Sequence, residues 1–187
     1  MMVTTHVATG LLLATPVALV APELALPAAL GGAAGGLLPD LDLLAGTHRK
    51  TLHFPDYYWV PAVAGGAVAA LHPTPLPVAA ALLFLAAAVH SASDWFGAGT
   101  ELRPWERTSD EAVYLRVRDR WLAPRYLVRY DGAPEDFALT LVLAAPGLVA
   151  FGPLVRRLAL GLVAVAAGYA LVRKRLPDVG ERLFEEP

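Results

Sequence analysis

The sequence predicts an all-α fold: a polytopic helical membrane protein of about six apolar helices, with a polar loop region on one side. Three observations predict it. Of the 187 residues 56% are hydrophobic, and the mean hydropathy is +0.50. Charged residues make up 17% of the chain, where a soluble domain carries about 25%. The charges are also clumped. Residues 7–22, 24–39, 137–155 and 158–172 contain none, and 57–89 holds only His72 besides its tyrosines. A 16-residue run reaches only about 24 Å as a helix, so some segments are expected to be half-buried, tilted or broken. With no cysteine, disulfides and thiolate metal sites are excluded. A net charge of -2 gives no reason to expect nucleic-acid binding.

Segment one is residues 4–20, with Thr4 or Thr5 as its cap. Residues 11–21 resemble the apolar part of a signal peptide, but no Lys or Arg precedes them and equally apolar segments follow. We therefore read a retained helix. Pro22 and Glu23 form a turn. Segment two, 24–38, contains Gly31, Gly32, Gly35 and Gly36, small residues that let helix backbones approach closely. Pro39 ends it. A polar loop follows over 40–56. Segment three, 57–71, opens on an interfacial belt of Tyr57, Tyr58 and Trp59. Segment four, 76–95, ends in His90-Ser91-Ala92-Ser93-Asp94.

Residues 97–136 form the longest polar stretch. Thr108-Ser109-Asp110-Glu111 fits a capping box, which predicts a short helix from Ser109. Val113, Leu115 and Val117 alternate with Tyr114, Arg116 and Arg118, which is strand periodicity. Both remain open, with the short helix preferred. Segments five and six are 135–154 and 157–172, and a charged tail closes the chain. Without repeats or linkers, we expect one domain over 1–187, with 97–136 as a basic interfacial insertion. Its arginines, tryptophans and tyrosines have the composition of a segment lying among lipid headgroups. Asp110, Glu111, Asp119, Glu135 and Asp136 offset its positive charge, again against nucleic acid.

Six crossings would bring the N-terminus, the 40–56 loop, the 97–136 region and the tail to one side. That side gathers His6, Asp40, Asp42, His48, Arg49, His53, His90 and Asp94. Of the 15 Lys and Arg, only Arg156 and Arg157 fall opposite, so the positive-inside rule puts the site at the cytoplasmic face of the cell membrane. Imidazoles and carboxylates are ligands for zinc, manganese, iron or magnesium. His90 and Asp94 are one helical turn apart and share a face, which suits either a metal or a helix-end hydrogen bond. Asp40 and Asp42 could equally be an ordinary loop start. His48, Arg49 and His53 could be a basic loop touching lipid phosphates. His6 alone would be a packing histidine, and gains weight from its side. His72 lies opposite and is left out.

Taken in order, His6, Pro39-Asp40-Leu41-Asp42, His48-Arg49-Lys50-Thr51-Leu52-His53 and His90-Ser91-Ala92-Ser93-Asp94 resemble a family's pattern. The family is that of bacterial and archaeal inner-membrane proteins described as membrane-bound metal-dependent hydrolases, typified by the LexA-regulated YdjM-like proteins. The resemblance covers roughly residues 1–110. Where that family often has Thr-His-Ser, this chain has Leu52-His53-Phe54. A weaker similarity is to the helical zinc phospholipase C and P1 nuclease superfamily.

The resemblance implies a divalent metal, zinc first, held among His6, Asp40, Asp42, His48, His53, His90 and Asp94. It also implies hydrolysis, with Asp40 or Asp42 as base and Arg49 facing an anionic small-molecule or lipid substrate such as a phosphoester. Two alternatives stand beside an enzyme: a metal or proton transporter, and a scaffold with a structural metal. A transport path needs polar residues through the membrane, and here they sit at one side.

Overall fold

The computed structural model describes residues 1–184; the end of the charged tail, 185–187, lies outside them. Seven α-helices are described: α1 Val3–Val20, α2 Ala25–Leu37, α3 Trp59–Leu71, α4 Pro75–Ser93, α5 Pro134–Val149, α6 Pro153–Val172 and α7 Leu176–Phe184. A 3-10 stretch, Leu38–Leu43, continues α2. Four apolar stretches are long enough to cross a membrane: Val3–Val20, Pro22–Leu43, Pro75–Phe96 and Pro153–Glu181. Helices α3 and α5 are shorter, at 13 and 16 residues. So the all-α class stands, with four membrane-length spans where the sequence predicts about six.

Helix α2 lies between α1 and α4; α3 packs on α4, and α5 on α1 and α6. The reason is written in two glycine pairs one helical turn apart. A Cβ on Gly32 or Gly36 would lie 2.3 Å from Gly10 O or 2.4 Å from His6 O, both on α1. A Cβ on Gly31 or Gly35 would lie 2.1 Å from Ala79 O or 2.0 Å from Leu83 O, both on α4. Small residues on two faces let both neighbours approach at backbone distance. An alanine-rich core with Leu11, Leu24 and Phe151 fills the contact.

Two local expectations are corrected. Helix α1 starts after Met2 with no side-chain cap, because Thr5 Oγ1 is spent on Asp136 Oδ1 (2.7 Å) and Thr140 Oγ1 (2.8 Å) of α5. The short helix expected from Ser109 does not form. Instead β1 Val113–Leu115 and β2 Arg120–Leu122 pair antiparallel. The alternation prevails because Val113 is fully buried and Tyr114 meets Trp121 edge to face across the strands, at 5.4 Å. Ser109 does make a local bond, but as a turn: its Oγ accepts Glu111 N–H at 3.1 Å.

This hairpin is braced against the 47–53 loop. Tyr114 N–H donates to Arg49 O (3.0 Å), and Arg116 donates to Lys50 O (2.6 Å). Much of the 97–136 region's positive charge is used inside the protein. Arg103 pairs with Asp178 and Glu181, Arg129 with Glu135, and Arg125 covers Trp95.

Candidate metal centre

Five chain segments converge at one end of the helices. The start of α1 brings His6, the 3-10 stretch after α2 brings Asp40 and Asp42, and the loop brings His48, Arg49 and His53. The end of α4 brings His90 and Asp94. The start of α5 closes the base, where Asp136 accepts Met2 N–H at 2.7 Å. Phe54 N–H on Ser91 Oγ and Tyr58 O–H on Leu52 O tie the His53 loop to its neighbours.

Four side chains form one set. A single N or O atom from each of Asp40, His53, His90 and Asp94 lies within 4.8 Å of the others, and all four residues are buried. His53 Nε2 is 3.5 Å from Asp40 Oδ1 and 3.2 Å from Asp94 Oδ2. His90 Nε2 is 3.4 Å and 3.5 Å from the same two oxygens. A tetrahedral ion with bonds of about 2.0–2.1 Å has ligand–ligand edges of about 3.3–3.4 Å. The spacing therefore fits two nitrogens and two oxygens around a single cation.

The tautomers fit as well. His90 Nδ1 donates to Gly36 O at 2.7 Å, which leaves a lone pair on Nε2. That Nε2 is buried without a hydrogen-bond partner and faces two carboxylate oxygens. In the neutral ring that lone pair is repelled by the anionic oxygens, and either a proton on Nε2 or a metal ion at their midpoint removes the conflict. His53 Nδ1 lies 2.9 Å from Asp42 Oδ2, the carboxylate–histidine arrangement that orients a metal-binding ring. Without a cation, burial opposes charge on His53, but hydrogen bonds that the ring donates to the Asp40, Asp42 and Asp94 carboxylates prevail and push its pKa up to about 10. His48 is pushed below its ordinary value, first by burial.

The other predicted residues take places around the set. His6 stacks on His90, with ring centroids 3.5 Å apart, and its Nε2 lies 3.1 Å from Asp94 Oδ1. That oxygen also accepts the Met1 α-amino group at 3.0 Å. Asp42 gives Oδ1 to His48 Nδ1 (2.8 Å) and Oδ2 to His53. Asp42, His48 and His53 also lie close enough to form a second ligand group. Arg49 is buried, donates to Ala98 O and Ala112 O, and holds Nε 3.9 Å from Asp94 Oδ2.

The sequence marks Gly36 only as a small packing residue; that its carbonyl fixes the His90 tautomer, and that Thr5, Asp136 and Thr140 form a buried cluster, emerges from the structure. Asp136 and Thr140 sit one turn apart in an apolar helix, a polar pair that could have been singled out. Glycine 36 gave no such signal, since its role is carried by backbone.

No family model, curated protein or solved structure matches this chain. Fold and site define a class on their own: a protein with membrane-length apolar helices and a buried His/Asp group that could hold a metal ion.

Proposed function

We propose that the protein is a membrane-bound metal-dependent hydrolase, acting on phosphoesters or related lipid substrates at the cytoplasmic face of the cell membrane. The observation that carries the metal is the orphaned His90 Nε2 facing Asp40 and Asp94. Zinc suits a four-coordinate N/O set of this size, and manganese, iron and magnesium are the alternatives. The step from a metal to hydrolysis is taken from the resemblance of the His/Asp pattern to the YdjM-like proteins. The cation would supply Lewis acidity and a water of lowered pKa.

The chain's own residues do the rest. Asp42 and the Gly36 carbonyl orient His53 and His90. His6 holds the outer oxygen of Asp94. Asp40 lines the adjoining cavity and is the one of the four that can leave its place to water; there it can take the proton of the attacking water and return it to the departing alcohol as the ester bond breaks. Arg49 lines the same cavity and offsets negative charge on the substrate.

The complete burial of His53 favours one competing reading, a closed structural metal. Metal analysis of the purified protein, joined to a screen of generic phosphoesters and esters, separates them. Bound metal with turnover is expected. Bound metal without turnover supports the structural role, and a protein that neither carries nor takes up metal overturns both.

A further inference from the structure

A cavity of about 480 Å³ adjoins the metal centre. Towards the metal centre it is lined by Asp40, Arg49 and Thr4, and on the α6 side by Val165 and Tyr169 of α6 and by Arg173 just after it. These three residues are spaced four apart along α6 and its immediate continuation, so they form one helical stripe. The stripe runs from the polar end down into an apolar span. At its lower end Val165 is 62% exposed, so the stripe reaches the surface on the apolar flank of α6.

The cavity wall holds polar atoms without a hydrogen-bond partner. Arg49 is 6% exposed and its Nε has no hydrogen-bond partner; Thr4 is 9% exposed and its Oγ1 has none. Glu101 Oε2, also at this cavity, is unpartnered too. Leaving such atoms unpaired is unfavourable, so the wall is built for a polar occupant. Arg173 is neutralised by Asp131 at 2.8 Å, whereas the Nε of Arg49 lies at a longer 3.9 Å from Asp94, which leaves Arg49 the less tightly paired of the described cavity-lining arginines. A guanidinium and a hydroxyl together match a phosphate oxyanion. Glu101 then accepts from a hydroxyl on that group or its glycerol. A free phosphate would explain the polar lining only. The stripe that reaches the surface at Val165 also suits an apolar chain.

We propose that this cavity is the seat of a phosphate-headed lipid, with the head on Arg49 and Thr4 and a chain leaving along the Val165 stripe. This names a substrate class for the proposed hydrolase, and rests on that reading only for turnover, since binding is measured separately. The full-length, metal-loaded protein is tested in detergent by native mass spectrometry. The probes are dioleoyl phosphatidic acid, dioleoyl phosphatidylcholine and glycerol 3-phosphate.

Phosphatidic acid should be retained in preference to the other two. Val165→Trp adds bulk to the stripe and Thr4→Val removes the hydroxyl. Thr4→Val should lower retention about tenfold, the scale of one contact to a charged group, and Val165→Trp should lower it by occluding the chain's path, both with bound metal unchanged. Equal retention of phosphatidylcholine would mean a lipid coat without a site, and tight glycerol 3-phosphate binding would mean a free phosphate; either overturns the proposal. So does undiminished retention in both variants. Turnover of soluble phosphoesters without lipid retention would sink the lipid seat and leave the hydrolase standing. Retention without any turnover would do the reverse.

Discussion

His90 shows how much rests on single atoms at this site. One nitrogen is fixed by the Gly36 carbonyl and the other faces Asp40 and Asp94 without a partner. His90→Ala or Asp94→Ala should lower metal affinity roughly tenfold or more, since even supporting residues cost that much. Metal analysis of folded variants checks it, and His72→Ala, on the exposed far turn, should retain full metal. His53 adds a pH dependence. Its pKa of about 10 means the metal-free ring is protonated at neutral pH, so metal must displace a proton. Affinity should climb with pH, about tenfold per unit across the neutral range. The sign for stability is opposite in the metal-free protein. A raised pKa stabilises the fold fully below the ordinary value of 6.5, and that contribution is lost as pH rises towards 10. Chelator-competition titrations and melting curves at several pH values test both slopes; a flat affinity would remove His53 from the ligands. The residue types were legible because ionisable groups stand out in an apolar chain. Their division of labour was not. Whether His6 meets the metal position or the outer oxygen of Asp94 depends on shifts smaller than a side chain.

Helix α2 is the element on which the site depends. A Cβ at Gly36 would sit 2.4 Å from His6 O, and the same glycine's carbonyl holds His90. Gly36→Ala should therefore destabilise the protein by about 1–3 kcal/mol and also lower metal affinity. Gly66→Ala is the control, with nothing within 4 Å of its Cβ. Equal thermal stability and metal content in the two variants would mean that α1 and α2 do not pack this way. The hairpin gives a second test. Arg116 holds the Lys50 carbonyl beside Arg49, whereas Arg120 is exposed. Arg116→Glu should loosen the 47–53 loop and reduce bound metal several-fold, roughly the loss of one charged hydrogen bond. Arg120→Glu should not. As a surface anchor alone, the region would lose lipid contact in both variants and metal in neither. The helices could be read because charge-free runs and prolines mark their ends. The hairpin was obscured because Ser109 supplies the side-chain bond of a cap, but spends it on a turn.

Across the whole molecule, the ends of the helices are sorted. Met1 reaches Asp94, Met2 reaches Asp136, and Tyr169 donates to Asp131. The starts of α1 and α5 thus share an end with the finishes of α4 and α6. This sorting was legible in the sequence from alternation of charge-free runs. The number of full spans was not, because α3 and α5 are apolar yet only 13 and 16 residues long, which hydropathy alone does not separate from a tilted crossing. The basic residues gather at the metal end, with Arg156 and Arg157 opposite, and that bias favours a cytoplasmic site. The absence of native cysteine makes the orientation directly measurable. Ala45 and Thr74 are both exposed, on the metal-end loop and the far turn. In intact cells an impermeant maleimide should label Thr74→Cys and spare Ala45→Cys until the membrane is opened. Labelling of Ala45→Cys with Thr74→Cys protected would turn the molecule over and put the metal centre outside. Labelling of neither in intact cells, and of both after lysis, would mean that the apolar helices do not carry the chain across the membrane.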